Sequence, residues 1–321
     1  MPAGTRLKGA TLKLETYSTM DIKELSIIIP HHNSSILLKR LIKSIPLSLN
    51  AEIIVIDDNS NQTEFDTIES YSKEFGFKLY KNRGKTAGGA RNTGLEYATG
   101  KWIIFADADD IFIDTFEKSI TKYFSSDYDV IFFNVNSAIS ETGEKAYRDR
   151  HIKHILSKYK STNDDNYLRC MYLVPWGKMY RKDFITVNSI KYEERLAGND
   201  MWFAVRSGVE ANKIHIDYNE IYTCTVSKGS ITTTLSKDRF EDKFQATIKT
   251  NTYLRKKGLS NYQVSVLYFI AKAKQFGWKY FFHIIFECIK NKSNLFIGIG
   301  KVFHYKKVLQ DRQNPSYLKK L

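Results

Sequence analysis

One pattern, repeated over residues 1–110, constrains this chain more than any other feature: a short apolar run, a polar cluster, then a segment of helical period. Leu25–Pro30 (LSIIIP), Glu52–Asp57 (EIIVID) and Lys101–Ala106 (KWIIFA) are apolar runs of strand length, and Phe77–Lys81 is a weaker one. Runs without polar alternation are buried on both faces, which points to a parallel sheet covered by helices. The spacing predicts helices over Ser35–Ile45 (with Ile36, Leu37, Leu41 and Ile45 inward), about Thr63–Phe75, and Ala87–Ala98. The strands end in His31-His32-Asn33, Asp57-Asp58-Asn59 and Asp107-Ala108-Asp109-Asp110. In open α/β sheets, ligands bind beyond such strand ends.

Further on, the pattern predicts a helix over about Thr115–Phe124 and a strand at Val130–Val135. The polar stretch Ser137–Asn166 reads as an excursion or lid. Tyr167–Tyr180 and Asp200–Ser207 read as short helical or mixed pieces, and Lys213–Val226 as two strand-like runs; from Leu235 onward the pattern is helical. Cys170, Cys224 and Cys288 have no metal-ligand spacing, which argues against a disulfide framework or zinc site. No apolar signal-peptide core follows Arg6 and Lys8, so residues 1–24 read as a leader or an expression remnant.

The first strand-to-helix turn, Pro30-His31-His32-Asn33-Ser34-Ser35, has no glycine. It lacks the fingerprint of a dinucleotide site, and also the Gly-rich, Lys/Arg-bearing loop of a sugar-nucleotidyltransferase, the rival enzyme class. Three acidic spots remain: Asp57-Asp58, Asp107-Ala108-Asp109-Asp110 and Asn199-Asp200. Two carboxylates in a D-x-D at a strand end offer hard oxygen ligands for Mg²⁺ or Mn²⁺ bridging a diphosphate. The same four residues also suit a helix start, with Asp110 as its cap. His151 and His154 have no third ligand nearby and read as solvated.

The strings SIIIPHHN (26–33), IIVIDDNS (53–60), GGARNTG (88–94) and ATGKWIIFADADD (98–110), in this order and spacing, resemble the nucleotide-sugar half of glycosyltransferase family 2. WGKMYR (176–181), GNDMWF (198–203) and KGSI (228–231) resemble its later elements. The resemblance implies the GT-A fold, an α/β architecture with a mainly parallel, Rossmann-like sheet flanked by helices, here followed by a helical basic region. It divides the chain into a nucleotide-sugar part (25–134), an acceptor part (135–236) and the basic region (237–321). It also implies roles. Pro30 and His31 line the nucleoside pocket, with Asn33 shaping the turn, and Asp58 accepts from uracil. Arg91 sits beside base and diphosphate, Asp107 faces the ribose or the metal shell, and Asp109 is the metal ligand. Asp200 matches the general base of inverting members. The chain departs from the family at Asn199, where glutamate is commonest, and at His31, whose imidazole can still stack on a base. Asn33 and Asn92 also fit plain turn and cap roles, and Arg91 a salt bridge. Trp176 reads as a core anchor or as a ring stacked on the acceptor sugar. Lys178, Tyr180 and Arg181 read as contacts to an acceptor phosphate or as solvated surface, and Lys228 and Ser230 as acceptor-side contacts.

Composition matters for the end of the chain. Of the net +14, +13 lies in residues 237–321, with 18 Lys and Arg against 5 Asp and Glu. That asymmetry excludes a uniformly basic nucleic-acid binder and points to an anionic surface. Residues 262–290 have helical spacing with Lys272, Gln275, Lys279, His283 and Lys290 on one side, and Ile270, Ala273, Gly277, Phe281, Ile284 and Cys288 on the other. Aromatics among lysines suit a helix lying on anionic lipid; the alternative is a helix packed on the catalytic part. No uncharged run exceeds the 14 residues of Gly258–Ala271, short of the roughly 20 that span a bilayer. The expectation is a metal-assisted, inverting transferase of a hexose or N-acetylhexosamine. It would carry the sugar from a UDP-sugar to a glycan or lipid-linked acceptor of capsule, O-antigen or lipooligosaccharide, at the cytoplasmic face of the membrane. The rival outside enzymes is a non-catalytic membrane- or polyanion-binding protein.

Overall fold

The apolar runs lie side by side in one sheet. The computed structural model describes residues 23–227 and 236–298. β1 (Leu25–His31), β2 (Glu52–Asp57), β3 (Lys78–Lys81) and β4 (Trp102–Phe105) are parallel, with β1 between β2 and β4. Helices α1 (Ser35–Lys43), α2 (Gln62–Phe75) and α3 (Thr86–Tyr97) connect them. In α1 the inward face is Leu38, Leu41 and Ile42, with Ile45 beyond the helix; Ile36, expected inward, is 79% exposed. At about 100° per residue it lies across the helix from Leu38. Asn61 caps α2 by accepting the Glu64 N–H at 3.1 Å, and Gly76 ends it in the left-handed region.

The second half turns the sheet mixed. It comprises β5 (Ile111–Phe112), α4 (Phe116–Thr121), β6 (Val130–Ile139), α5 (Arg150–Thr162), α6 (Asp165–Met171), β7 (Lys178–Arg181), α7 (Lys182–Val187), α8 (Asn199–Glu210) and β8 (Ile214–Val226). Strand order is β3-β2-β1-β4-β7-β6-β8-β5. β7 runs antiparallel to β4 and β6, and β5 to β8, while β6 and β8 are parallel. The supposed lid over 137–166 is not one: β6 extends into it, and α5 buries Ile152, Ile155 and Leu156. The two runs within Lys213–Val226 are one strand, β8, whose polar middle coincides with shifts of register against β6.

At the opposite end of the sheet from the strand termini above, buried Glu52 accepts from Lys78 Nζ (2.6 Å), the Thr99 N–H (2.7 Å) and hydroxyl (3.0 Å), and the Ser26 hydroxyl. Burial alone would raise its pKa, but Lys78, Ser26 and Thr99 together hold it below the ordinary value. Its stabilising contribution is therefore present above the unfolded pKa and is lost as pH falls through the folded one. Glu52→Ala is expected to cost about 3 kcal/mol at neutral pH in denaturant titration; a loss under about 1 kcal/mol would mean that the four donors re-pair with water.

α9 (Lys237–Lys256), α10 (Leu267–Ala273) and α11 (Trp278–Lys290) follow. Phe240, Phe244 and Ile248 of α9 form a second core with Val266, Phe269, Ala273, Ile284 and Cys288. The expected continuous helix over 262–290 is broken at Gly277, φ 102° and ψ 157°, and Gly277 itself is exposed. Ala273, Ile284 and Cys288 are buried as the pattern required. Trp278, Phe282, Phe286 and Ile289 form an outward stripe, each 58–62% exposed. Among the described residues no helix is long and apolar enough to cross a membrane.

Candidate active site

The ends of β1, β2 and β4 bring the polar clusters together. In the turn after β1, His31 is buried; its Nε2 accepts the Ser34 N–H at 3.1 Å, which leaves the proton on Nδ1, 3.4 Å from Asp57 Oδ1. Burial pulls its pKa below the ordinary value against the opposing pull of Asp57. The ring is 1% exposed and frames the turn, with no face open to a base. Half-buried Pro30 precedes it. Asn33 takes φ 46° and accepts from the backbone and side chain of Asn61 at 2.9 and 3.0 Å, which fixes the turn's shape. Asp58 is half-buried, and its Oδ1 accepts from Asn82 at 2.7 Å.

Carboxylate oxygens of Asp107, Asp109 and Asp110 lie within 4.8 Å of one another. The turn that holds them is fastened from elements far away in sequence. Arg40 of α1 donates to the Asp109 carbonyl, as does the Thr225 hydroxyl at 2.6 Å. The Thr225 N–H donates to Asp110 Oδ1 at 2.7 Å, and Arg148 donates to the Thr225 carbonyl at 3.1 Å. The Tyr222 hydroxyl accepts the Asp107 N–H at 2.9 Å. Trp176, 1% exposed, stacks on Tyr222 at 5.9 Å. It is the core anchor, and offers no face to a sugar. Asp110, read as a helix cap, begins no helix; it ties the turn to β8 instead.

Burial and then the neighbouring Asp107 hold the Asp109 pKa above its ordinary value; burial and then Asp109 hold that of Asp110 well above. A carboxyl with a raised folded pKa favours the fold at low pH and ceases to do so as pH rises from 3.8 through the folded pKa. Asp110→Asn, which can keep the Thr225 bond but removes a carboxylate that faces buried Arg148, is therefore expected to raise the stability of the metal-free protein at pH 7 relative to its stability at low pH. Thermal melts at both pH values check this; an unchanged pH dependence would mean that the cluster's charge is already compensated.

Arg91 of α3 is buried. It donates to Asp107 Oδ1 at 2.6 Å and to Asn199 Oδ1 at 3.3 Å, and its guanidinium carbon lies 5.3 Å from the centre of the Tyr192 ring. Burial opposes its charge, but Asp107, Tyr192 and Asp200 more than offset that, so its pKa is raised. Asp200 sits in the first turn of α8, in the fields of Arg91 and Asp107; burial lifts its pKa above the ordinary carboxylate value, and Arg91 opposes the lift. The segment before α8 is clamped to α3: Asn92 bonds the Tyr192 N–H at 2.8 Å and carbonyl at 3.0 Å. At Gly88 a Cβ would lie 2.0 Å from the Glu193 carbonyl oxygen, so only glycine permits the approach.

Lys178 is fully buried, its Nζ 2.8 Å from the Tyr172 carbonyl, and burial pulls its pKa down to about 7. Tyr180 is also buried and Arg181 pairs with Asp129, so none of the three is solvated surface open to an acceptor phosphate. Lys228 and Ser230 lie outside the described residues. Arg40, Arg148, Tyr222 and Thr225 were not singled out in the sequence, because each works through a long-range contact that no motif records.

Residues 26–187 match the family model described as glycosyl transferase family 2. The putative glycosyltransferase EpsH of Bacillus subtilis (strain 168) is 22% identical over 233 residues, covering 69% of this chain and 66% of EpsH. The uncharacterized glycosyltransferase YibD of Escherichia coli (strain K12) is 29% identical over 188 residues, covering 56% and 54%. The chain thus spans slightly less than two thirds of the first and about half of the second. The poly(ribitol-phosphate) beta-N-acetylglucosaminyltransferase TarS of Staphylococcus aureus (strain MW2) is 24% identical over 208 residues, covering 61% and 34%. The crystal structure of S. aureus TarS 1-349 in complex with UDP-GlcNAc superposes with TM-score 0.64 at 18% identity over 92% of this chain and 89% of that one, so the two share the GT-A fold. With half of its length matched by the family model, the chain belongs to glycosyltransferase family 2.

Proposed function

We propose that this chain transfers a hexose or N-acetylhexosamine, with inversion, from a UDP-sugar to a hydroxyl of a bacterial surface glycan. The observation that carries the reading is the buried Arg91 fork, which ties the acidic turn after β4 to the first turn of α8. It sets a carboxyl of raised proton affinity, Asp200, beside a cluster of carboxylates suited to a divalent cation. The TarS complex with UDP-GlcNAc supports a UDP-sugar donor, and the TarS name supports a surface-polymer acceptor.

Asp107 and Asp109, beside the buried Asp110 whose Oδ2 has no partner, fit the all-oxygen donor set of Mn²⁺ or Mg²⁺. Such an ion, when bound, neutralises charge on the departing diphosphate. The chain's own groups do the rest. Asp58, Pro30 and Asn33 form the nucleoside end, and Asp107 faces the ribose or the metal. The Arg91 fork orients Asp107 and Asn199 through one N–H of each terminal nitrogen. Asp200 takes the acceptor hydroxyl's proton as that oxygen bonds to the anomeric carbon and the bond to the UDP oxygen breaks, a role worth about 10²–10⁴-fold. UDP release from a panel of UDP-sugars, with Mn²⁺, Mg²⁺ or EDTA, tests the reading on wild type and Asp109→Asn. Equal release in EDTA, unaffected by Asp109→Asn, would remove the metal from it.

A second reading concerns location. The outward stripe of α11, with Lys274, Lys279, Lys290 and Lys292 around it, has the composition of a helix lying on anionic lipid at the inner membrane face. Full-length protein is expected to co-sediment with anionic vesicles at low salt. Replacing Trp278, Phe282 and Phe286 together by serine is expected to weaken this by at least about tenfold. Equal sedimentation of the triple variant would assign the binding to charge alone, and no sedimentation of wild type would end the reading.

A further inference from the structure

A groove of about 480 Å³ runs along α8 and α9, walled by Arg195, Trp202, Lys249, Thr252, Tyr253 and Lys256. We propose that it is a subsite for a phosphate-bearing sugar of the acceptor; this deepens the transferase reading and rests on it. The groove has two aromatic rings: half-buried Trp202 meets Tyr253 edge-on at 5.3 Å. Such rings pack against the apolar face of a pyranose. Lys249 lies 4.2 Å over the indole, and Gln245 and Asn291, whose amide nitrogens donate to Glu241 and Glu287, have amide oxygens to accept from sugar hydroxyls. The Thr252 hydroxyl has no hydrogen-bond partner.

Charge selects the anion. The lining has three cations and no carboxylate. Arg195 and Lys249 are engaged by Glu193, outside the lining, whereas exposed Lys256 has no acidic partner among the described residues and is free to meet a phosphate.

A hydrogen bond joins the Arg195 end of the groove to the catalytic centre. The Arg195 carbonyl accepts the Asn199 amide at 3.4 Å, and Asn199 accepts Arg91, whereas Trp202, about 200° round α8 from Asp200, faces away from the base. A chain of sugar units with its reacting hydroxyl at Asp200 would enter the groove at this Arg195 end.

The test follows the indole N–H signals of full-length protein by NMR, with saturating UDP to fill the donor site and Trp202→Phe to assign Trp202. Glucose 1-phosphate is the probe, against glucose and inorganic phosphate. The Trp202 signal is expected to shift saturably with glucose 1-phosphate at a concentration about tenfold lower than with either control, because ring and charge contacts combine. Lys256→Ala, an exposed change, is expected to weaken the response about three- to tenfold. No saturable shift, equal response to inorganic phosphate, or indifference to Lys256→Ala would overturn the subsite. UDP release is measured separately. Its absence would overturn the transferase reading and leave the titration standing, whereas turnover with a silent Trp202 would overturn the subsite alone.

Discussion

Asp200→Asn is expected to lower kcat by about 10²–10⁴-fold, with the donor KM little changed, because it removes the proposed proton acceptor, needed only as the acceptor attacks. Stability is not expected to fall, since burial already disfavours the charged form. The pH profile gives a second readout. A base must be ionised, and burial has raised the Asp200 pKa above 3.8, so the acid limb of kcat should lie above that value and activity should rise with pH through it. A variant with kcat within about threefold of wild type would send the search for the base elsewhere.

Arg91→Met should have the other large effect, and a different one. It leaves Asp107 and Asp200 in a half-buried site without their shared cation, at an expected cost of about 3 kcal/mol in denaturant titration. Loss of that positive field also raises the proton affinity of Asp200, so the acid limb should move to higher pH. Arg91→Lys keeps the charge and loses the fork; it should restore the limb more than the rate. An acid limb in the same place for Arg91→Met would disconnect Arg91 from the base. Asn199 bears on the same balance. A neutral amide accepts from Arg91 where the family more often has a glutamate, so the full charge of Arg91 is left to Asp107 and Asp200.

Much of the first half could be read from the sequence because burial on both sheet faces leaves strands of continuous apolar residues. β1, β2 and β4 stand where LSIIIP, EIIVID and KWIIFA placed them. The second half misled for identifiable reasons. The α5 signal was present in Ile152, Ile155 and Leu156, but charged neighbours made the stretch look like a lid. β8 looked like two strands because Asp217, Asn219 and Glu220 interrupt its apolar pattern where the register shifts. His31 suggested a stacking ring because its type allows one; only the positions of Ser34 and Asp57 reveal that both its nitrogens face inward. Arg40 and Thr225 grip a backbone carbonyl 69 and 116 residues away, and a carbonyl has no letter in a sequence.

Gly88 carries a consequence for anyone seeking to make this protein hardier. Exchanging a helix-interior glycine for alanine is an ordinary route to thermal tolerance, worth up to about 1 kcal/mol. In α3 the exchange would drive a methyl group against the carbonyl of Glu193. The clash would fall on the contact between α3 and the segment leading into α8, 3.2 Å from the Asn199 Cβ, at the place where Arg91 meets Asn199. Mutational robustness in this helix therefore runs opposite to helix propensity, and a consensus-driven stabilisation should pass over Gly88.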